Sequence, residues 1–324
     1  MKDMILIITN SKEVAVQRVV GYLNELQQHF FVINTDELSG EDIGLTYINN
    51  PSGFIGFRGK KINLNQVKCV WYRRPQDPTN FPPMDSVSKD FVQGEYRAFL
   101  WSLYTSLEAF WVNSPLATRL LEHNKFFQIR EAARVGLCVP QTIITNNPEE
   151  LLSFLEGHQG VGVVKALSPA VINAGTESSK FIYTNVVSKE AIADHKKDIK
   201  LAPVFMQEYI EKKIELRVTI VGDSVFTCAI HSQDSDRSKH DWRRYDFEKV
   251  KHEPYQLPSL VKDQLQLLMK RFGLAYGAFD VILTPKNEYV FLEVNPSGQW
   301  EWIEVLTGMP ISQAIANMLS TACH

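Results

Sequence analysis

Residues 4–9 read MILIIT, six apolar residues without a break. A half-exposed strand would give every second position to water, so this run fits a strand covered on both faces. Asn10 and Ser11 are placed to cap the helix that follows, in which Val14, Val19, Tyr22, Leu23 and Leu26 form an apolar stripe. A second strand, FFVIN at 30–34, ends in Thr35-Asp36. Strand, helix and strand in this order predict a parallel pair inside an open α/β domain. A hairpin is expected around GFIGFR at 53–58, then a buried strand, VKCVWY at 67–72, ending in Arg73-Arg74-Pro75. Open α/β sheets place their ligand crevices at that end of their strands. The guanidiniums of Arg73 and Arg74 are therefore candidates for a carboxylate or phosphate, with plain solvated charge as the competing reading. A helix at 85–107 and a short strand at 111–113 bring this first domain to its end near Pro115.

Composition narrows the class. The 324 residues exceed one simple core, and 34 basic against 37 acidic residues give a formal charge of −3. That balance argues against a nucleic-acid binder or a polybasic membrane protein. No apolar stretch approaches the roughly 20 residues of a spanning helix. The N-terminus reads as a first strand, not a signal peptide. Cys69, Cys138, Cys228 and Cys323 lie far apart without CxxC spacing, which favours free thiols in a reducing compartment. A cytoplasmic location follows as the expectation.

Beyond Pro115 a helix is expected at 116–135, with His123-Asn124-Lys125 inside it and Gly136 just past its end. A strand at 141–145 and a helix at 148–155 lead to VGVVKA at 161–166. Lys165 sits near the end of that β-branched run, where a lysine needs a partner or an exit to solvent. A nucleotide phosphate would supply the partner; a sheet-edge lysine is the plainer alternative. Residues 168–179, SPAVINAGTESS, form a small-residue loop suited to phosphates, although it holds one glycine and lacks the P-loop pattern. A strand at 181–187 and a polar helix at 188–200 come next, then the strand VFMQEYI at 204–210, interrupted by Gln207 and Glu208. In IELRVTIV at 214–221, Glu215 and Arg217 are two apart and share a face. Gly222-Asp223 turns the chain into an antiparallel strand at 225–231. Residues 232–255 are polar, with Trp242, Arg243, Arg244 and Tyr245 interleaved, and a loop of that length reads as substrate-facing.

After a helix at 258–273, residues 276–300 suggest two strands, 278–284 and 289–294, joined at Pro285-Lys286-Asn287. Alternation places Tyr289, Phe291 and Glu293 on one face, with Asn295 next in phase, and the first strand carries Asp280. Two carboxylates and a carboxamide converging on one hairpin are the oxygen donors that Mg²⁺ prefers when it is shared with nucleotide phosphates. A strand-starting aspartate and a solvent-facing glutamate form the alternative. A helix at 311–319 follows.

As a set, Lys125, Lys165, the 168–179 loop, Gln207-Glu208-Tyr209-Ile210, Glu215, Arg217, Asp280, Glu293 and Asn295 resemble the ATP-grasp carboxylate–amine ligases. The opening ILIITNSKEVAVQRVVGYL, VWYRRP at 70–75 and HDWRRYD at 240–246 are more closely similar to the microviridin and graspetide peptide ligases of that superfamily. The resemblance implies an α/β (α+β) class. It implies an ATP-grasp fold behind an N-terminal open α/β pre-ATP-grasp domain, divided at 1–115, 116–200 and 201–324. It implies ATP and Mg²⁺ as cofactors. Asp280, Glu293 and Asn295 would hold the metal, and Lys125 and Lys165 the phosphates. Gln207, Glu208, Tyr209 and Ile210 would form the adenine-side hinge, Glu215 would hold the ribose, and Arg217 would stand by the γ-phosphate. Arg73, Arg74, Arg243 and Arg244 would hold the acidic side chain of the acceptor, with Asp241 orienting one of them; His240 or Asp241 would accept the nucleophile's proton. The implied partner is a ribosomally made precursor peptide, a leader plus an acidic core, with the 188–200 helix as a leader surface; a homodimer is compatible with the family. The glycine-poor 168–179 loop departs from the family pattern. A ligase adding glutamate or amino acids to a protein or peptide, and an inactive binding scaffold, are the alternatives.

Overall fold

The structure, a computed structural model, describes residues 2–47, 53–167, 184–235 and 249–323, together with the backbone at 171–173 and 179–181. Strand β1 (Met4–Thr9) is buried along its whole length and is followed by α1 (Val14–Glu25) and β2 (Phe30–Asn34). β1 pairs in parallel with β2, as the strand-helix-strand order predicts. Asn10 and Ser11 do not cap α1. The Asn10 carboxamide donates to the carbonyl of Arg74 at 2.7 Å, and Ser11 donates through its amide and hydroxyl to the Asp36 carboxylate at 2.9 and 2.5 Å. Both tie strand ends together instead. β3 (Ile43–Thr46), β4 (Phe54–Phe57) and β5 (Lys60–Asn63) make a small antiparallel sheet. β6 (Val67–Tyr72), α2 (Ser86–Thr105) and β7 (Phe110–Val112) complete a parallel sheet of order β2-β1-β6-β7.

The helix expected at 116–135 is two helices, α3 (Pro115–Glu122) and α4 (Lys125–Arg134). Asn124 leaves helical geometry, and its side-chain oxygen accepts from the amide of Phe127 at 3.1 Å. That capping bond competes with helix continuation. It puts Lys125 in the first turn of a new helix. β8 (Thr142–Thr145), α5 (Pro148–Glu156) and β9 (Val161–Lys165) follow. β10 (Val171–Asn173) pairs with β11 (Ser179–Phe181), so the strand expected at 181–187 is divided between β11 and β12 (Asn185–Ser188). The polar helix at 188–200 is likewise two short pieces, α6 (Lys189–Asp194) and α7 (Lys196–Ile199). With β13 (Val204–Glu208) these strands build an antiparallel sheet of order β12-β9-β13-β8.

The last third contributes β14 (Ile214–Val221), β15 (Ser224–Ile230), β16 (His252–Pro254), α8 (Ser259–Phe272), β17 (Tyr276–Leu283) and β18 (Tyr289–Asn295). The chain ends with α9 (Glu301–Thr307), which the sequence reading did not anticipate, and α10 (Ile311–Ala322). Gly273 ends α8 in the left-handed region at φ 64°, where a β-carbon is disfavoured. The five-stranded sheet has the order β16-β15-β14-β17-β18 and is antiparallel throughout. One of its faces packs on α8: Leu216, Val218 and Ile220 of β14, with Phe279, Val281 and Phe291, meet Leu265, Leu268 and Phe272. A second core joins Ile5, Ile7, Val16 and Val19 of the N-terminal unit to Trp300, Ile311, Ile315 and Leu319. All four cysteines are free; Cys69, Cys228 and Cys323 are buried and Cys138 is exposed.

Candidate active site

The face of the five-stranded sheet away from α8 carries a row of charges. Arg217 on β14 lies opposite Asp280 on β17, which lies opposite Glu293 on β18. The β17–β18 ladder slips by one residue here: Val281 pairs with Phe291 and Asp280 with Glu293, which leaves Leu292 as an extra residue. This bulge overturns the expectation that Phe291 and Glu293 share a face. Phe291 is fully buried in the α8 core, whereas Leu292 and Glu293 both line the opposite cleft. Strict alternation assumes an unbroken ladder, and one extra residue reverses its phase.

Each acid in the row has a cation. Arg217 Nη1 donates to Asp280 Oδ1 at 2.8 Å, with both side chains largely buried. Lys125 Nζ lies 3.4 Å from Glu293 Oε2. Burial opposes the charge of Arg217, but Asp280, Tyr276 and Glu293 outweigh it, and the guanidinium is held more firmly protonated than an ordinary arginine. Asn295, opposite Ala278 at the end of β18, accepts the Ser297 amide on its side-chain oxygen at 3.0 Å. Asp280, Glu293 and Asn295 are hard oxygen donors on two adjacent strands, which is donor chemistry that fits Mg²⁺ completed by water and phosphate. Among the described residues no three His, Cys, Asp or Glu side chains gather into a metal site.

The cleft in front of this row lies between the two antiparallel sheets. Val163 and Lys165 of β9, Val186 of β12 and Gln207 and Glu208 of β13 form one wall; Glu215, Asp280, Ile282, Leu292 and Glu293 form the other. Tyr209, Ile210 and Lys212 close one end, where the chain passes from one sheet to the other. The lining mixes apolar side chains (Val163, Val186, Ile210, Ile282 and Leu292) with charged ones, which suits a flat ring joined to an anion. Glu208 is anchored by the amide of Gln141, which donates to Oε1 at 2.8 Å. Gln207 is buried and donates to the Thr142 hydroxyl at 3.1 Å. Burial raises the Glu215 carboxyl, against the pull of Lys212 at 3.0 Å and the Ser232 hydroxyl at 2.8 Å. Lys212 and Ser232 were not singled out from the sequence; the i, i+3 spacing of Lys212 and Glu215 was the available signal.

The paired arginines separate. Arg73 is 1% exposed, and its guanidinium is committed to Glu13 and to the carbonyls of Ser297 and Gly298. Arg74 adopts φ 50°, leaves its side chain 43% exposed, and approaches Glu13 at 3.5 Å. Near it the Glu122 carboxyl is raised, by burial first, with Ser297, His123 and Arg74 opposing. His240, Asp241, Arg243 and Arg244, and most of the 168–179 loop, lie outside the described residues.

Two antiparallel sheets facing each other across a cleft, behind an open parallel α/β domain, define a nucleotide-grasping ligase architecture. A family model of the MvdD pre-ATP grasp domain matches residues 4–119, and one of the RimK-like ATP-grasp domain matches residues 122–319. The chain belongs to the ATP-grasp family of ATP-dependent ligases. It is 32% identical to the macrocyclase MdnC of Microcystis aeruginosa MRC, solved with the precursor peptide MdnA. That match has a TM-score of 0.86 and covers 98% of this chain and 99% of that one. It is 29% identical to a RiPP-associated ATP-grasp ligase of Chryseobacterium gregarium, solved with ADP and a leader and core peptide, with a TM-score of 0.90 over 98% of this chain and 97% of that one. A probable alpha-L-glutamate ligase 1 of Shewanella sp. strain MR-4 is 22% identical over 281 residues, 80% of this chain and 82% of its own.

Proposed function

We propose that this enzyme activates Asp or Glu side-chain carboxylates of a ribosomally made precursor peptide and closes them into intramolecular esters or amides. The observation that carries the reading is full-length similarity to two ligases, one solved with its precursor peptide and the other with ADP and a leader and core peptide. A carboxylate is a poor electrophile at neutral pH, so the reaction needs an activated acyl group. A carboxylate oxygen attacks the γ-phosphorus of ATP, the bond to the β-phosphate oxygen breaks, and ADP leaves an acyl phosphate. A Ser or Thr hydroxyl, or a Lys amine, then attacks the carbonyl carbon, phosphate departs, and the nucleophile loses its proton.

This chemistry depends on positioning and on neutralising charge. Asp280, Glu293 and Asn295 are the proposed holders of Mg²⁺, which when bound neutralises phosphate charge. Lys125 and Lys165 take the phosphates, and Arg217 faces the transferring group. Gln207 to Ile210 and Glu215 hold adenine and ribose, against the apolar surface of Val163, Ile282 and Leu292. Arg74, half exposed at the end of β6, receives the acceptor carboxylate together with Arg243 and Arg244. The leader docks along β12, α6 and α7.

The test is mass spectrometry of a candidate precursor peptide with an acidic, Ser/Thr/Lys-containing core, after incubation with enzyme, ATP and Mg²⁺. Loss of one water per ring with matching phosphate release is expected. Gain of glutamate residues would establish the other reading, which the similarity to a glutamate ligase favours. Phosphate release with neither mass change would sink both.

A further inference from the structure

The turn that follows the candidate metal ligand Asn295 has every one of its carbonyls taken. Pro296 accepts from the Asn113 carboxamide at 2.9 Å, and Ser297 accepts from Arg73 Nη1 at 2.8 Å. Gly298 accepts from the same Nη1 at 3.1 Å and from the Tyr276 hydroxyl at 2.7 Å. Gln299 accepts from Arg217 Nη2 at 3.4 Å. Two of these donors, Arg73 and Asn113, stand at the ends of β6 and β7 in the N-terminal sheet. Arg73 is itself fixed on three sides: Glu13 Oε1 lies 3.1 Å from Nη2, its own amide donates to the carbonyl of Ile8 at 2.8 Å, and the Trp300 ring lies 4.4 Å from the guanidinium carbon.

The turn in turn fixes two site residues. The Ser297 amide donates to the Asn295 side-chain oxygen, which sets the rotation of that carboxamide. A β-carbon on Gly298 would lie 2.6 Å from Arg217 Nη2 and 2.5 Å from the β-carbon of Ala278. The backbone therefore rests directly against the Arg217 guanidinium, and only glycine allows that approach.

We propose that Arg73 is a positioning residue: from the N-terminal sheet it clamps the Ser297-Gly298 turn and so sets Asn295 and Arg217 for the magnesium-bound nucleotide. The proposal rests on the reading of Asn295 and Arg217 as metal and phosphate residues. It replaces direct contact between Arg73 and the acceptor peptide, for which a side chain with 1% exposure leaves no surface. The strand-end crevice that open α/β sheets usually give to a ligand is here filled partly by a segment of the same chain.

The experiment measures ADP affinity with and without Mg²⁺ by calorimetry on the full chain, for wild type, Arg73→Lys, Arg73→Met, Gly298→Ala and Asn295→Ala. Outer-shell partners of a metal site change its affinity by about tenfold to a hundredfold. Arg73→Met and Gly298→Ala should lose a Mg²⁺-linked gain of that size, as Asn295→Ala does, while metal-free ADP affinity holds. Arg73→Lys should keep part of it, since one ammonium cannot reproduce the planar guanidinium's contacts. If Arg73→Met does not fold, Gly298→Ala carries the test alone, because it keeps the buried charge. Wild-type Mg²⁺ linkage in a folded Arg73→Met or in Gly298→Ala overturns the clamp. Absence of any Mg²⁺ linkage in wild type instead overturns the metal reading, and the clamp falls with it. Unaltered linkage with a raised KM for peptide alone would return Arg73 to the substrate.

Discussion

At the level of single residues, the candidate site is a set of opposite charges that hold one another. Arg217 with Asp280, and Lys125 with Glu293, are pairs in which removing one member leaves the other poorly compensated. Glu293 is partly exposed and Asn295 exposed, so replacing either should leave the fold intact. Glu293→Gln and Asn295→Ala are expected to abolish Mg²⁺-dependent phosphate release with a thermal midpoint close to wild type. Full turnover in either would remove that residue from the proposed metal site. Much of this set was legible in the sequence because charge in an apolar strand is conspicuous: Lys165 in VGVVK and Arg217 in IELRVTIV both stood out. Lys212, Asn113 and Glu13 were not legible, since each sits in ordinary polar surroundings and its role depends on a partner distant in the chain.

Among the elements, the β18 bulge does most to shape the site. In a regular strand two consecutive residues point to opposite faces. The extra Leu292 lets Leu292 and Glu293 both face the cleft, one apolar and one acidic, while Phe291 and Val294 stay in the α8 core. We expect Leu292→Ala to weaken ADP binding by about tenfold, the scale of a partly lost apolar contact, in the presence and absence of Mg²⁺ alike. Titration calorimetry checks this, and a loss confined to the Mg²⁺-bound state would show that Leu292 acts through the position of its neighbour Glu293 and not through apolar contact with the nucleotide. The break between α3 and α4 is a second case in which one residue redirects an element. Asn124 was visible as a polar residue inside a helical pattern, but the pattern on both sides was strong enough to hide the cap.

For the molecule as a whole, the N-terminal unit and the last helix share a core. Val16, Val19 and Leu23 of α1 belong to the same buried cluster as Ile311, Ile315 and Leu319 of α10. Cutting into that cluster should destabilise both regions together. Ile315→Ala is expected to cost about 2–5 kcal/mol and to lower a single unfolding transition seen by both tryptophan fluorescence and far-ultraviolet circular dichroism. Two separated transitions would show that the units fold independently. No helix among the described residues is long and apolar enough to cross a membrane.

Local chemistry settled what the sequence could settle. Apolar runs and turn residues set most strands and helices, because burial and backbone geometry act within a few residues. The oxygen donors at 280, 293 and 295 suggested magnesium, and the resemblance to ATP-grasp ligases joined to them the cations at 125, 165 and 217 as an expected nucleotide site. Register and distance belonged to the tertiary structure. Only the folded chain shows that Phe291 and Glu293 part company at a bulge and that Arg73 faces inward to hold the turn beyond Asn295. Both depend on contacts between strands and units far apart in sequence, where periodicity carries no information.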